Sequence, residues 1–150
     1  MTKNIVDSDT TFVGRDGELD GHLGWNAFRA MSRNRRREAV VDCASKPRSF
    51  NAGGILALST LLADRLDKET SKPRVGIVLP PGIGAIIANF AVLFSGKSAV
   101  NINFSLGREA LESSIERAEI DLILTAEKVR ARLPEFPWPQ RVLDVGETLK

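Results

Sequence analysis

Short apolar runs alternate with segments of helical hydrophobic period along most of the chain. Few polar residues interrupt the clearest runs, which cover residues 75–79, 98–102, 121–124 and 142–145. Between them, apolar residues recur every three or four positions and predict helices over 82–95 and 108–119. Nearly unbroken apolar strands that alternate with helices are typical of a parallel sheet with both faces covered. The pattern therefore predicts an α/β fold with a mostly parallel sheet flanked by helices on both faces.

The part upstream of the sheet has a different pattern. Trp25, Phe28 and Met31 lie at helical spacing and predict a short N-terminal helix over about 23–34. An apolar run at 39–43 is followed by a turn and by Ser49-Phe50, which together predict a β-hairpin.

Two predicted N-caps mark the starts of further helices. Asn51 precedes a long amphipathic segment over 52–68, and Thr125 precedes a short helix that ends at Arg132. Gly53 and Gly54 fall in the first turn of the long helix, where either close packing or ligand approach would require them.

The chain divides into a lead-in and one predicted subdomain. Residues 1–21 are polar, rich in Gly and Asp and poor in large apolar groups, so we expect an extended or poorly ordered segment. Residues 22–150 form the predicted single α/β subdomain.

The composition excludes few classes of protein, but it bears on the expected binding partners and cellular compartment. Lys+Arg 21 against Asp+Glu 19 gives a net charge of +2, which provides no general electrostatic case for nucleic acid or membrane binding. The one basic cluster, 33–38, is interpreted as a solvated helix end. Cys43 is the single cysteine, so no intrachain disulfide is possible and a reducing compartment fits. The N-terminus lacks the apolar segment of a signal peptide, and the apolar stretch at 83–94 is too short to span a bilayer. We therefore expect a cytoplasmic protein.

Two glycine motifs imitate nucleotide-binding loops. One motif resembles a P-loop: Ala91-Val-Leu-Phe-Ser-Gly-Lys-Ser98. Its apolar residues lie inside a predicted helix, however, and the motif precedes a strand. Gly96 is therefore better interpreted as a helix C-terminal cap. Gly82-Ile-Gly84 follows a strand like a dinucleotide fingerprint, yet Ile87 holds the third glycine position. Asn103, and no Asp or Glu, ends the next strand, so NAD(P) binding is disfavoured.

The candidate ligand cleft is the edge of the sheet where the strands end. Pro81, Gly82 and Gly84 form the turn after one strand, and Asn101 and Asn103 end the next. Ligands of open α/β sheets collect at this edge. For both asparagines, the alternative of a purely structural role in fixing the following loop is favoured.

The residues that usually carry chemistry are few. The single histidine, His22, lies beside the polar lead-in with no evident catalytic partner, and the sequence has no cluster that would hold a metal ion. No catalytic residue is predicted, and the chain does not look like a complete enzyme.

Several motifs follow one another along the chain from about Leu23 onward: Glu38-Ala-Val-Val-Asp42, Arg48-Ser-Phe-Asn51, Arg74-Val-Gly-Ile-Val-Leu-Pro80, Ala91-Val-Leu-Phe-Ser-Gly96 with Ala99-Val100, Asn103, and Ile123-Leu-Thr125. In this order they resemble the N-terminal part of the adenylate-forming superfamily of acyl-CoA synthetases, luciferases and related ligases, with Asn103 on a family asparagine. Pro81 replaces the usual Asn of the third motif. Asn101-Ile-Asn-Phe-Ser-Leu-Gly107 is similar to the acyl-carrier-protein synthetase part of lysophospholipid-acylating enzymes.

The resemblance implies a parent reaction in which ATP, with Mg²⁺, and a carboxylic acid form an acyl-adenylate that is transferred to CoA or acyl carrier protein. The family's phosphate loop, its adenine- and ribose-contacting residues and its catalytic lysine have no counterpart before Lys150. This chain would then be an N-terminal scaffold, inactive alone, that needs the remainder of the adenylating domain and no cofactor of its own. The alternative is a free-standing α/β module that binds a partner or self-associates without catalysis.

Overall fold

The computed structural model describes residues 23–43 and 46–148, so the predicted lead-in and His22 lie outside the described residues. Helices and strands follow one another in the order α1 (Leu23–Arg33), β1 (Glu38–Asp42), β2 (Arg48–Asn51), α2 (Ala52–Glu69), β3 (Arg74–Ile77), α3 (Ile83–Phe94), β4 (Ser98–Asn101), α4 (Arg108–Arg117), β5 (Leu122–Thr125), α5 (Glu127–Arg130), β6 (Arg141–Asp144) and α6 (Val145–Thr148). Within this part of the chain, no helix has both the length and the apolar character needed to cross a membrane.

The strands form two sheets, as the sequence predicts. β1 and β2 pair antiparallel as the N-terminal hairpin, with Asp42 opposite Arg48. β4, β3, β5 and β6 follow in that order in a parallel four-stranded sheet. The inner strands β3 and β5 are almost wholly buried, which explains why their sequences are unbroken apolar runs.

Helices cover both faces of the parallel sheet and confirm the predicted α/β architecture. On one face, α2 and α3 contribute Ile55, Leu62, Leu66, Ile87 and Val92 to the larger core cluster. On the other face, a second cluster joins Leu111, Ile115, Ile120, Ile123 and Phe136. The inner strand β5 accordingly alternates its side chains between the two clusters, with Leu122 and Leu124 in the first and Ile123 in the second.

Gly76 lies where β3 passes closest to its neighbours. A Cβ at this position would come within 2.8 Å of Ile123 Cγ1 and 3.1 Å of atoms of Ile102 and Ile120. Glycine in the interior of a strand normally weakens it, but here it permits close approach of three isoleucines.

Of the three helix caps that the sequence predicts, the structure confirms two and contradicts one. The Gly54 N–H donates to Asn51 Oδ1 at 2.7 Å, which confirms Asn51 as the N-cap of α2. Gly96 has φ +70° immediately after α3, and the N–H of Lys97 donates to the Val92 carbonyl at 3.0 Å, so the P-loop imitation is a helix C-terminus. The prediction that Thr125 caps α5 is wrong, because Thr125 is the last residue of β5.

Packing accounts for Gly53. A Cβ here would lie 3.0 Å from the Arg35 carbonyl oxygen and 3.1 Å from Arg35 Cβ, and the Gly53 N–H donates to that carbonyl at 2.8 Å. The sequence predicts either close packing or ligand approach at this glycine. The structure accounts for close packing, against the backbone before β1.

Candidate functional site at the carboxyl edge of the sheet

The four parallel strands end at a common edge, which we call the carboxyl edge. β4 ends at Asn101, β3 runs into the turn at Pro80, β5 ends at Thr125 and β6 ends at Asp144. This is the edge at which open α/β sheets place their ligands. All five sequence-predicted cleft residues lie on the β3 and β4 side of it.

Gly82 needs to be glycine for two reasons. Its backbone has φ 148° and ψ −174°, a conformation that side-chain-bearing residues rarely adopt. A Cβ would also lie 3.2 Å from Asp42 Oδ2. Pro81 beside it is exposed. Gly84, by contrast, has ordinary φ, and a Cβ there would meet no atom within 4 Å.

Asp42 caps the helix that follows this turn. The Ile83 N–H, the first of α3, donates to Asp42 Oδ2 at 2.9 Å, so a carboxylate from the hairpin lies at the positive end of the helix. The anion at this helix N-terminus is therefore the protein's own Asp42.

The two asparagines make short-range structural contacts. The Asn101 and Asn89 side chains form a reciprocal amide pair, in which Asn89 Nδ2 donates to Asn101 Oδ1 at 3.1 Å and Asn101 Nδ2 donates to Asn89 Oδ1 at 2.9 Å. This pair ties the end of β4 to the middle of α3. Asn103 Oδ1 accepts from the Ser105 N–H at 3.1 Å and fixes the loop before α4.

On the other side of the edge, polar side chains also bond within the protein. The buried Thr125 hydroxyl donates to the Val78 carbonyl at 2.7 Å and joins β5 to the chain leaving β3. The Asp144 carboxylate accepts from the N–H groups of Glu127 and Glu147 and so caps the short helices α5 and α6.

Sequence reasoning missed Asp42 and Asp144. Asp144 could have been predicted as a cap, because Glu147 follows it at the capping-box spacing of three residues. Asp42 could not have been predicted as a cap, because its partner lies 41 residues away in the chain.

A cavity of about 670 Å³ opens above the ends of β5 and β6. Its lining combines the edge residues Thr125 and Asp144 with charged side chains of α2, α5 and α6: Asp64, Arg65, Lys68, Glu127, Arg130 and Glu147. None of the five sequence-predicted cleft residues lines it. Thr125, the one hydroxyl in the lining, already donates to a carbonyl, and Arg65 is paired with Glu69 at 2.7 Å.

Within 23–43 and 46–148, no group of three or more His, Cys, Asp or Glu residues is arranged so that it could hold a metal ion. A hydrogen bond from Arg108 to Glu112, with the charge of Glu112, raises the pKa of Arg108, but this pair is solvent-exposed on α4. The α3 terminus does not fit a phosphate of ATP as it stands, because the Asp42 carboxylate already accepts the first N–H of the helix and would repel a second anion.

No protein-family model matches the sequence, and no curated protein has a significant match to it. Solved structures do match its fold. An AMPPNP-bound form of the nonribosomal peptide synthetase FmoA3 superposes with TM-score 0.75 at 22% identity, over 88% of this chain and 14% of its own. The o-succinylbenzoate coenzyme A synthetase MenE from Bacillus subtilis, in complex with ATP and magnesium, superposes with TM-score 0.68 at 19% identity. The match covers 83% of this chain and 33% of the MenE chain.

The fatty acyl CoA synthetase of Mycobacterium tuberculosis gives a TM-score of 0.69 at 17% identity, over 85% of this chain and 28% of its own. The chain thus spans between about a seventh and a third of the length of these three solved structures. All three are adenylate-forming enzymes, and identities at this level show a shared fold. The chain has the fold of the N-terminal subdomain of adenylate-forming enzymes.

Proposed function

We propose that residues 22–150 are the N-terminal scaffold segment of an ATP-dependent, AMP-forming acid–thiol ligase, and that this segment is inactive alone. The observation that carries the proposal is the shared fold with three adenylate-forming enzymes, of which the chain spans only a minor part. The thiol acceptor would be CoA or acyl carrier protein. The motif at Asn101–Gly107 supports the acyl-carrier-protein type.

The contacts at the carboxyl edge support a scaffold role. Asp42, Asn101 and Thr125 each bond to another element of the chain, so they hold the turn after β3, the end of β4 and the end of β5 in place. Pro81, Gly82, Gly84, Asn101 and Asn103 would then shape the wall of the acyl and nucleotide cleft. ATP and Mg²⁺ would be held by the remainder of the adenylating domain.

ATP–pyrophosphate exchange tests the proposal. The 150-residue chain should show no exchange with a panel of carboxylic acids. Exchange should appear when the chain is combined with, or extended by, the following part of its open reading frame. Robust exchange by the chain alone would refute the scaffold role, and an open reading frame with no phosphate-loop segment downstream would refute the ligase assignment.

A second candidate is a free-standing binding or oligomerisation module. Leu61 on α2, which is 51% exposed beside the cavity at the edge strand β6, would lie in the contact surface of such a module. Light scattering and binding of an apolar dye separate the two. Concentration-dependent association that hides the dye-binding surface would favour the module, whereas a chain that binds dye and loses that binding on addition of the downstream segment would favour the scaffold.

A further inference from the structure

The turn between α1 and β1 concentrates positive charge that the net charge of the chain conceals. Residues 29–37 contain five arginines and no acidic residue: Arg29, Arg33, Arg35, Arg36 and Arg37. All five side chains are exposed. None of them takes part in an ion pair within the described part of the chain. We call this set the arginine face.

Backbone contacts fix the arginine face to the body of the fold. The Arg35 and Arg37 carbonyls accept hydrogen bonds from the N–H groups of Gly53 and Ala52, at 2.8 and 2.9 Å, where α2 begins. The Arg37 N–H donates to the Asn34 carbonyl at 2.9 Å and closes the turn. Arg35, Arg36 and Arg37 therefore lie in a turn whose backbone is hydrogen-bonded to the body of the fold, directly after Arg29 and Arg33 of α1.

Two exposed apolar side chains border the arginine face on α1. Trp25 is one helical turn from Arg29 and is 57% exposed, and Leu23 is 66% exposed. The Trp25 ring stacks on Phe28, with centroids 5.8 Å apart and planes inclined by 6°. Phe28 in turn contacts Phe94 edge-on at 5.9 Å, so Trp25 is held against the core while much of it remains in solvent.

We propose that the arginine face binds an anionic lipid surface, with Trp25 and Leu23 entering the headgroup region. Arginines near a membrane are attracted to acidic lipids, and tryptophan prefers the interface between headgroups and acyl chains. Two arginines of α1 and three of the following turn thus accompany exposed tryptophan and leucine, and basic residues beside exposed apolar ones are the combination that binds anionic membrane surfaces. Nucleic acid would engage the arginines and Trp25 but gains nothing from Leu23, so lipid is the better match. The proposal does not depend on the ligase function.

The test uses the intrinsic fluorescence of the chain. Of its two tryptophans, Trp138 is half-buried and donates to the Leu133 carbonyl at 3.0 Å, so Trp138→Phe leaves Trp25 as the only emitter. Vesicles of phosphatidylcholine with a third phosphatidylserine should shift Trp25 emission to the blue, and phosphatidylcholine alone should not. Raising the salt concentration should weaken binding, because screening shortens the reach of the arginines.

Charge-matched variants locate the surface. Arg35→Gln, Arg36→Gln and Arg37→Gln together should lower the vesicle partition coefficient about a hundredfold, since each cation near the surface contributes roughly fivefold. The control replaces three exposed arginines elsewhere, Arg117→Gln, Arg130→Gln and Arg132→Gln, and should change it less than about fivefold. Circular dichroism checks that both variants fold.

Three results would overturn the proposal. The first is an equal loss of binding in the control variant, which would indicate general attraction by net charge. The second is vesicle binding without a blue shift of Trp25. The third is tighter binding to a DNA duplex than to the vesicles at the same salt concentration. The second and third use variants with the arginine face intact, so they remain decisive if the triple variant fails to fold.

Discussion

The two glycines that begin the dinucleotide-like motif should respond in opposite directions to alanine. Gly82→Ala places a side chain on a backbone at φ 148° and ψ −174°, a region that costs about 1–3 kcal/mol for any residue except glycine. The new Cβ also lies 3.2 Å from Asp42 Oδ2. Displacing that carboxylate weakens the cap of α3 by about 1 kcal/mol more. We expect Gly82→Ala to lower the free energy of unfolding by roughly 2–4 kcal/mol.

Gly84→Ala is the matched control two residues away. Gly84 lies in the first turn of α3 with ordinary φ, and the added Cβ meets nothing within 4 Å. Alanine there reduces the conformational freedom of the unfolded chain and should raise the free energy of unfolding by about 0.4–1 kcal/mol. Urea unfolding followed by far-ultraviolet circular dichroism measures both variants.

A double variant tests the stated cause. If part of the cost of Gly82→Ala is the crowding of Asp42, then the substitution should cost about 1 kcal/mol less in an Asp42→Ala background. Equal unfolding free energies for the Gly82 and Gly84 variants would refute the reasoning, as would destabilisation by Gly84→Ala of more than about 1 kcal/mol. The latter result would mean that the open side of Gly84 is occupied in solution.

Three further substitutions test contacts that position the carboxyl edge. Asp42→Ala should lower the unfolding free energy by about 1–2 kcal/mol, because it removes the cap of α3. Asp42→Asn keeps a hydrogen-bond acceptor but loses the charge, so it should lower the unfolding free energy by only about 0.3–1 kcal/mol. Equal unfolding free energies of the two variants in urea melts would contradict a charged cap. A double-mutant cycle of Asn89→Ala and Asn101→Ala should give a coupling energy of about 0.5–1.5 kcal/mol, and additive effects would show that the amide pair does not form in solution. Gly76→Ala should lower the unfolding free energy by about 1–3 kcal/mol through overpacking, and a neutral thermal melt would contradict the 2.8 Å approach of Ile123.

The helices and strands could be predicted from the sequence because the patterns that determine them lie within short stretches of the chain. The buried strands β3 and β5 are short apolar runs, and α2 and α3 carry apolar residues at helical spacing, so hydrophobic periodicity alone locates them. The caps at Asn51 and Gly96 were also predictable, because the capping residue adjoins the helix that it ends or begins.

Contacts between distant residues could not be predicted in this way. Asp42 and Ile83 are separated by 41 positions, and Thr125 and Val78 by 47, so no spacing in the sequence reports either bond. Thr125 shows the consequence. A threonine before a short helix has the residue type of an N-cap, but its hydroxyl donates to the Val78 carbonyl just after the neighbouring strand β3. Asp144 caps the helix instead.

These distant bonds bear on how the carboxyl edge could take part in binding. The first N–H of α3 donates to Asp42, so a phosphate could use that helix end only after the carboxylate had left it. Anion binding at the α3 terminus would therefore be coupled to displacement of the Asp42 carboxylate, which extends from the end of β1. As long as that carboxylate stays in place, this helix end is not open to a phosphate, and the scaffold proposal assigns phosphate binding to the remainder of the adenylating domain.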